Sequence, residues 1–415
     1  MKILHTSDWH LGQSFRGFER HYEHQCFLDW LLARIHADDI DVLLVSGDIF
    51  DNANPSAASQ KQLYRFLHTA RGVAPHLRVV MIAGNHDSPG RLEAPSPLLA
   101  SFETRVVGQT RRDAQGNIDL EDLIVPLYDR HERLRAWVLA IPFLRPGDVP
   151  RIDDEGDVYL MGVETLYQQT LAEILLRRQQ DQAILAMGHC HMSGGGVSQE
   201  SERRIVVGGA EMLSDGIFDE RIAYAALGHL HLPQAVAGKD WVRYSGSPLP
   251  MSFAEIHYPH QVVKIELEGE RLKAIEAIPV PRAVELLRIP AQPQPLAEVL
   301  AALEALVLPN NDSSPERWPY LEVRVRFDAP EPGARAAIEQ ALKGKPVRFV
   351  GIDASYSRAD DVSLIDSGDS LGDLSQMQPE TILQKHYLGQ YGEALPADLM
   401  QAFQALLLEP VEDAS

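Results

Sequence analysis

Five times within its first 231 residues the chain drives an apolar run into an abrupt polar stop built from Asp, Asn or His. The stops are Asp8-x-His10, Gly47-Asp48-x-x-Asp51, Gly84-Asn85-His86-Asp87, Gly188-His189 and Gly228-His229-x-His231. Each follows a run that reads as a buried strand, at 2–6, 41–45, 78–83, 183–187 and 222–227. Between the first three, residues 20–37 and 56–71 read as helices, the first with Phe27, Trp30, Leu31 and Ile35 on one face. Strands alternating with helices predict βαβ units around a parallel sheet. The carboxyl ends of parallel strands open onto one crevice, so residues far apart in sequence can meet there. Glycine ahead of four of the five stops lets the backbone turn tightly.

The donor types narrow the chemistry. Carboxylates, imidazoles and one amide, with no thiolate, suit Mn, Fe or Zn, and there is too much imidazole for Ca or Mg alone. Seven donors are too many for one cation and about right for two lying roughly 3.5–4 Å apart. The expected division gives Asp8, His10 and His231 to one ion and Asn85, His189 and His229 to the other, with Asp48 bridging. His86 directly follows a ligand, so its ring is expected to reach across to the phosphate or the leaving oxygen, with Asp87 orienting it. Any one of these motifs alone is compatible with an ordinary turn at a strand end. Five in this order are not. His191 rivals His189, which is preferred because it directly follows the strand and the glycine. His5 lies inside the first strand and reads as a core residue or one standing behind the ligands. Cys190 reads as packing.

Composition sets the frame. A 415-residue chain, 45% hydrophobic and 23% charged, can bury two or three domains. No apolar run reaches the roughly 18 residues of a membrane helix, and the amino terminus lacks a secretory apolar stretch. Only Cys26 and Cys190 are present, so the expectation is a reducing cytoplasm. A net charge of −21 excludes a generic polyanion binder. Further strands read near 104–107, 123–127 and 135–141, with a helix at 163–179. The runs at 241–245, 261–267 and 271–279 alternate like an antiparallel meander. A Pro-Val-Pro linker at 279–281 closes a first domain, 1–281. Residues 282–355 read as a small β-α-β-α-β domain. Residues 356–372 form an acidic tether, and 373–415 read as two short amphipathic helices opened by Pro379 and Pro396.

The motif order resembles the calcineurin-like binuclear metallophosphoesterases. Ile3–Gly12, Ile141–Asp148 and Val242–Pro250 narrow the resemblance to the SbcD family, the nuclease subunits of bacterial SbcCD complexes. That resemblance implies an α/β fold: a two-sheet metallophosphoesterase sandwich flanked by helices, with a small α/β DNA-capping domain and a C-terminal helical tail. It also implies a Mn(II)-dependent double-strand exonuclease and single-strand or hairpin endonuclease that serves DNA repair, recombination and replication. The family ligands fall on Asp8, His10, Asp48, Asn85, His189, His229 and His231, and the catalytic histidine on His86. Archaeal relatives carry a histidine where Asp51 stands, which leaves the role of Asp51 open. The implied partners are DNA and the SMC-like ATPase SbcC, gripped by the C-terminal helices, within a heterotetramer built on a homodimer. A cytoplasmic, nucleoid-associated location follows, with no membrane contact. No Gly-x4-Gly-Lys-[Ser/Thr] phosphate loop is present, which fits ATP hydrolysis by the partner.

Two other functions compete with this one. A nucleotide or small-molecule phosphodiesterase would have little need of the cap and tail, and a scaffold with a degenerate metal site would not keep a full ligand set. The DNA surface is weakly marked. Arg16, Arg20, Arg111, Arg112, Arg145, Arg203 and Arg204 are the candidates for phosphate contacts.

Overall fold

A computed structural model describes residues 1–153, 157–193, 212–308, 314–329 and 331–356, and 383–384, 387–388, 391, 395–396 and 399–400. The acidic tether, most of the expected C-terminal helices, Arg203 and Arg204 lie outside the described residues. The chain divides into two compact units, Met1–Glu285 and Leu286–Ser415.

In the first unit the apolar runs form two six-stranded sheets. Strands β1 (Lys2–Thr6), β2 (Val42–Ser46), β3 (Arg78–Ile82) and β4 (Thr104–Val107) run parallel. Helix α1 (His21–Ala37) joins β1 to β2, and α2 (Ala57–Val73) joins β2 to β3. The second sheet contains β5 (Ile124–Tyr128), β6 (Leu134–Ala140), β7 (Ala183–His189), β8 (Tyr224–Gly228), β9 (Gln234–Val236) and β10 (Lys239–Tyr244), with α3 (Val158–Arg177) between β6 and β7. Its order is β9-β10-β8-β7-β6-β5, with β10, β8, β7 and β6 parallel. Strands β11 (Gln261–Glu268) and β12 (Arg271–Pro279) return to the first sheet, whose order is β12-β11-β1-β2-β3-β4.

Alternation along each strand assigns the faces. Ile3, Val42, Leu44, Val80 and Ile82 pack with Val138, Ala140, Ile184 and Ala186 in one apolar cluster between the sheets. Leu4, Leu43, Val45, Val79 and Met81 turn the other way, onto Phe27, Leu28, Leu31, Phe66 and Leu67 of α1 and α2. Val163, Leu166, Leu171 and Ile174 of α3 join the intersheet cluster. The result is a two-sheet sandwich flanked by helices.

One sequence expectation fails. The last three runs of this unit are not a meander. β10 lies beside β8 in the second sheet, whereas β11 and β12 form an antiparallel pair at one end of the first, with β11 beside β1. Alternation specifies that a segment is a strand, but not which neighbour it takes. The connection 245–260 crosses from one sheet to the other.

The second unit is a parallel β-α-β-α-β layer of β13 (Leu286–Pro295), α4 (Leu296–Glu304), β14 (Tyr320–Phe327), α5 (Ala334–Ala341) and β15 (Arg348–Tyr356). Val299, Leu303, Leu321, Val323, Val325 and Ile338 form its separate core. The opposite sheet face is polar, with Arg288 paired to Glu322 at 2.6 Å and Arg324 to Asp353 at 2.9 Å.

Where the two sheets meet, the backbones nearly touch. A Cβ on Gly228 would lie 1.9 Å from the Ser46 carbonyl oxygen, a contact between β8 and β2 that neither main chain can relieve alone. Gly228→Ala should therefore destabilise the first unit by about 3 kcal/mol or more, read as a lower denaturant midpoint. Gly72→Ala in α2, with nothing within 4 Å, should be neutral or stabilising by up to about 1 kcal/mol in the same assay.

Candidate metal centre

The carboxyl ends of β1, β2, β3, β7 and β8 converge at one edge of the sandwich, and all seven expected donors lie there. Four of them, Asp8, His10, Asp48 and His229, hold left-handed backbone, with φ of 53°, 46°, 49° and 100°. Such conformations cost a non-glycine residue about 1–3 kcal/mol each and persist where surrounding contacts enforce them. The enforcing contacts are visible. Asp8 N–H donates to the Gly47 carbonyl and His10 N–H to the Asp48 carbonyl, both at 3.0 Å, so two strand-end turns brace each other. The third turn lies against them closely enough that a Cβ on Gly84 would fall 2.1 Å from Asp48 Oδ1.

Asp8, His10 and His231 present donor atoms all within 4.8 Å of one another. Ser7 Oγ donates to Asp8 Oδ2 at 2.5 Å and is itself 2.8 Å from Ser245 Oγ. His10 Nε2 is buried with no hydrogen-bond partner, 3.7 Å from Asp48 Oδ2. The same Asp48 oxygen lies 3.3 Å from His189 Nε2. Asn85 Oδ1 sits 3.0 Å from His189 Nε2 and 3.1 Å from His229 Nδ1. Asp48 therefore stands between two donor groups, each able to hold a cation. An orphaned imidazole nitrogen beside a shared carboxylate fits that use.

The electrostatics point the same way. Burial opposes ionisation of Asp48, but the surrounding His189, His10 and His86 rings outweigh it and hold its carboxyl far below the usual range. Burial likewise disfavours charge on His189, yet Asp48, and more weakly Asp8, raise that imidazole to about 9. For Asp8, burial, with a contribution from Asp48, pushes the carboxyl up. Burial and the neighbouring His189 push His229 well down. The ionised Asp48 favours positive charge on its His189 side, which a divalent cation would supply in place of a proton.

His86 also belongs to the cluster, offering a donor within 4.8 Å of His10 and Asp48. Its backbone N–H donates to Asp48 Oδ1 at 2.8 Å, and its Nδ1 lies 2.7 Å from the Asp51 carbonyl oxygen. That carbonyl, not Asp87, orients the ring. The Asp87 carboxylate instead accepts the amides of Ile49, Phe50 and Gly84 at 2.9–3.1 Å. Burial, then the charge of Asp48, raise its pKa to about 6 against those three donors. Asp87 thus ties the second turn to the third. The Asp51 carboxylate faces His10 Nδ1 at 3.4 Å.

Of the rival histidines, His189 occupies the cluster and His191 lies outside it, its ring 6.1 Å from that of His229. His5 is a core residue, held by the Tyr224 hydroxyl and the Leu227 carbonyl and pushed down to about 3 by burial. Cys190 is half-buried beside Met192 Sδ, and burial of its thiol pushes it up to about 12.

The arginines sort differently from expectation. Arg20 is 1% exposed and bonds Glu23, Gln13 and the Pro250 carbonyl, so it is a fold residue. Arg111 is held by Glu93 and Asp122, and Arg112 by the carbonyls of Gly116, Gly147 and Val149. Arg16 is exposed. Arg145 is exposed over the Phe143 ring, and Phe143 meets His189 edge-on at 6.3 Å.

Glu255 escaped the sequence reading. It is fully buried, and its Oε1 lies 2.9 Å from His231 Nδ1. No strand-end pattern marks it, because it sits in the 245–260 crossover. The Ser245-Gly-Ser-Pro motif just upstream was the available signal.

Comparison with known proteins agrees with this geometry. Residues 1–233 match the calcineurin-like phosphoesterase family, and 282–391 match a domain described as the type 5 capsule protein repressor C-terminal domain. The SbcD subunit of the nuclease SbcCD from Rhodobacter capsulatus is 40% identical over 357 residues, 85% of this chain and 87% of that one. Its namesake from Escherichia coli K12 is 31% identical over 90% of each chain. That of Bacillus subtilis is 34% identical over 64% of this chain and 66% of its own. The chain belongs to the calcineurin-like phosphoesterases and, within them, to the SbcD family of nuclease subunits.

Proposed function

We propose that this chain is the DNA-cleaving subunit of an SbcCD-type complex and hydrolyses phosphodiesters at two divalent cations, Mn(II) in the first instance. One observation carries the reading: seven donors from five strand ends converge around one shared carboxylate. Asp8, His10 and His231 would hold one cation, Asn85, His189 and His229 the other, and Asp48 both. When bound, such a pair supplies Lewis acidity toward a phosphate oxygen and a water nucleophile near neutral pH.

The chain's own residues do the remaining work. The left-handed turns and the Asp87 clamp keep the donors in place before substrate arrives, which lowers reorganisation during reaction. With Nδ1 directed to the Asp51 carbonyl, His86 can act through Nε2 on a proton at the leaving oxygen. Arg145, raised on Phe143 beside His189, can take a neighbouring phosphate. The net charge of −21 opposes DNA elsewhere, so tight binding requires the ATPase partner, SbcC. That partner docks on the helices at 373–415, and the homodimer, double-strand exonuclease and hairpin endonuclease activities belong to the same reading.

Several measurements test it. The purified chain should hold about two Mn(II). Below pH 9 the empty cluster keeps a proton on His189 that the cation must expel, so affinity should rise with pH toward about 9. Calorimetry at pH 7 in buffers of different ionisation enthalpy should show proton release, and a pH-independent affinity would contradict the assignment. His86→Ala should lower turnover of linear duplex DNA by about 10²- to 10⁴-fold with both Mn(II) retained. Loss of metal instead would make His86 a ligand. Faster turnover of cyclic nucleotides than of DNA would favour a nucleotide phosphodiesterase. Finally, removing residues 372–415 should abolish association with the ATPase while leaving Mn(II)-dependent cleavage of bis-p-nitrophenyl phosphate. Intact association would place the docking surface elsewhere.

A further inference from the structure

The two donor groups around Asp48 are not equivalent, and the difference lies behind the histidines. In the Asp8 group, His231 Nδ1 lies 2.9 Å from the Glu255 carboxylate and His10 Nδ1 lies 3.4 Å from the Asp51 carboxylate. In the Asn85 group, His189 Nδ1 is 2.8 Å from a neutral partner, the Ser46 carbonyl. The third donor differs too: an ionisable carboxylate, Asp8, against a neutral amide, Asn85. Glu255 is fixed from both ends, because its other oxygen accepts the Met251 amide at 2.7 Å. It is fully buried, in a turn that the Arg20 guanidinium pins through the neighbouring Pro250 carbonyl at 2.7 Å.

A carboxylate accepting from one imidazole nitrogen fixes the tautomer and makes the other nitrogen a stronger donor. One such pair, a second carboxylate 3.4 Å from His10 Nδ1 and an anionic ligand raise the attraction for a dication above that of a carbonyl-backed ring and an amide. We infer that Glu255 is a positioning residue which, through His231, makes the Asp8/His10/His231 position the tighter of two unequal cation positions. Cation binding then has an order. The Asp8 position stays filled, while the Asn85 position exchanges with free Mn(II). The inference rests on the two-cation reading above.

The test is a titration of the metal-stripped full chain with Mn(II), counting free ion by electron paramagnetic resonance. The native chain should show two affinity classes. Glu255→Gln, nearly isosteric but uncharged, should weaken the tighter class by about 10- to 100-fold and leave the looser class within about twofold. Asn85→Ala should do the reverse. A Glu255→Gln effect on the looser class, on both classes equally, or on neither would overturn the assignment. So would a native chain with two indistinguishable classes, and in that case the two-cation reading would stand. A chain that binds no Mn(II) at all would instead remove the reading itself. Should Glu255→Gln lower the melting temperature too far for titration, Asp51→Asn acts on His10 in the same position. Asp51 is 30% exposed on its side chain, and this variant should weaken the tighter class alone, by a smaller factor.

Discussion

A carboxylate buried among imidazoles organises this protein. Asp48 is 2% exposed, and its two oxygens are divided between tasks. Oδ1 accepts the His86 amide and so fixes the third turn against the second, while Oδ2 faces His10 on one side and His189 on the other. Desolvation would ordinarily neutralise such a group, but the ring of histidines keeps it ionised. The architecture can be read outward from this charge. Two sheets approach until Gly228 touches the Ser46 carbonyl, and four donors accept left-handed backbone, because only that approach brings both sheets' histidines to one carboxylate. Neither sheet holds a complete donor group alone: the Asp8 group takes His231 from beyond β8, and the Asn85 group takes His189 and His229 from the second sheet.

Strain of this kind needs counterweights, and the buried polar groups around the cluster supply them. Asp87 gathers three backbone amides, Ser7 and Ser245 tether Asp8, and Arg20 binds the start of α1 to the 250–251 turn. Each joins segments distant in sequence, so each restrains a turn rather than extending a strand. That separates them from the ligands by role, although both sets are polar, buried and adjacent. Charges aimed inward by the fold hold the site, while the net charge of −21 over the whole chain disfavours generic attraction of a polyanion.

The sequence shows most of the cluster because a ligand at a strand end leaves a local mark: an apolar run, a glycine, then a polar residue that a buried strand would not tolerate. Asp48, Asn85, His189, His229 and His231 carry that mark in full, Asp8 and His10 carry it without the glycine, and all seven meet. What failed to show has a common cause. Glu255 acts through a partner 24 residues away in a crossover with no periodicity. Arg20 looked like a phosphate contact because an arginine near a site and an arginine beneath it have the same letter. Asp87 was misassigned to His86 since adjacency in sequence is not adjacency in space: successive side chains diverge, and its oxygens find the amides of β2's turn instead. The meander expected over 241–279 failed at its first strand likewise, since alternation is a property of one strand and pairing a property of two.

The net charge of −21 opposes nucleic acid, and three of the five candidate arginines among the described residues are already engaged. Arg111 and Arg112 are bound by carboxylates and carbonyls of neighbouring loops, and Arg20 is in the core. Arg145 is different because it is exposed and its guanidinium lies over an aromatic ring. Phe143 in turn meets the His189 ring edge-on at 6.3 Å. Under the function proposed above, a phosphate held by Arg145 would lie near the donors. Local placement of one exposed cation can direct DNA on a chain whose overall charge opposes it, since the attraction acts within a Debye length of about 8 Å at physiological salt.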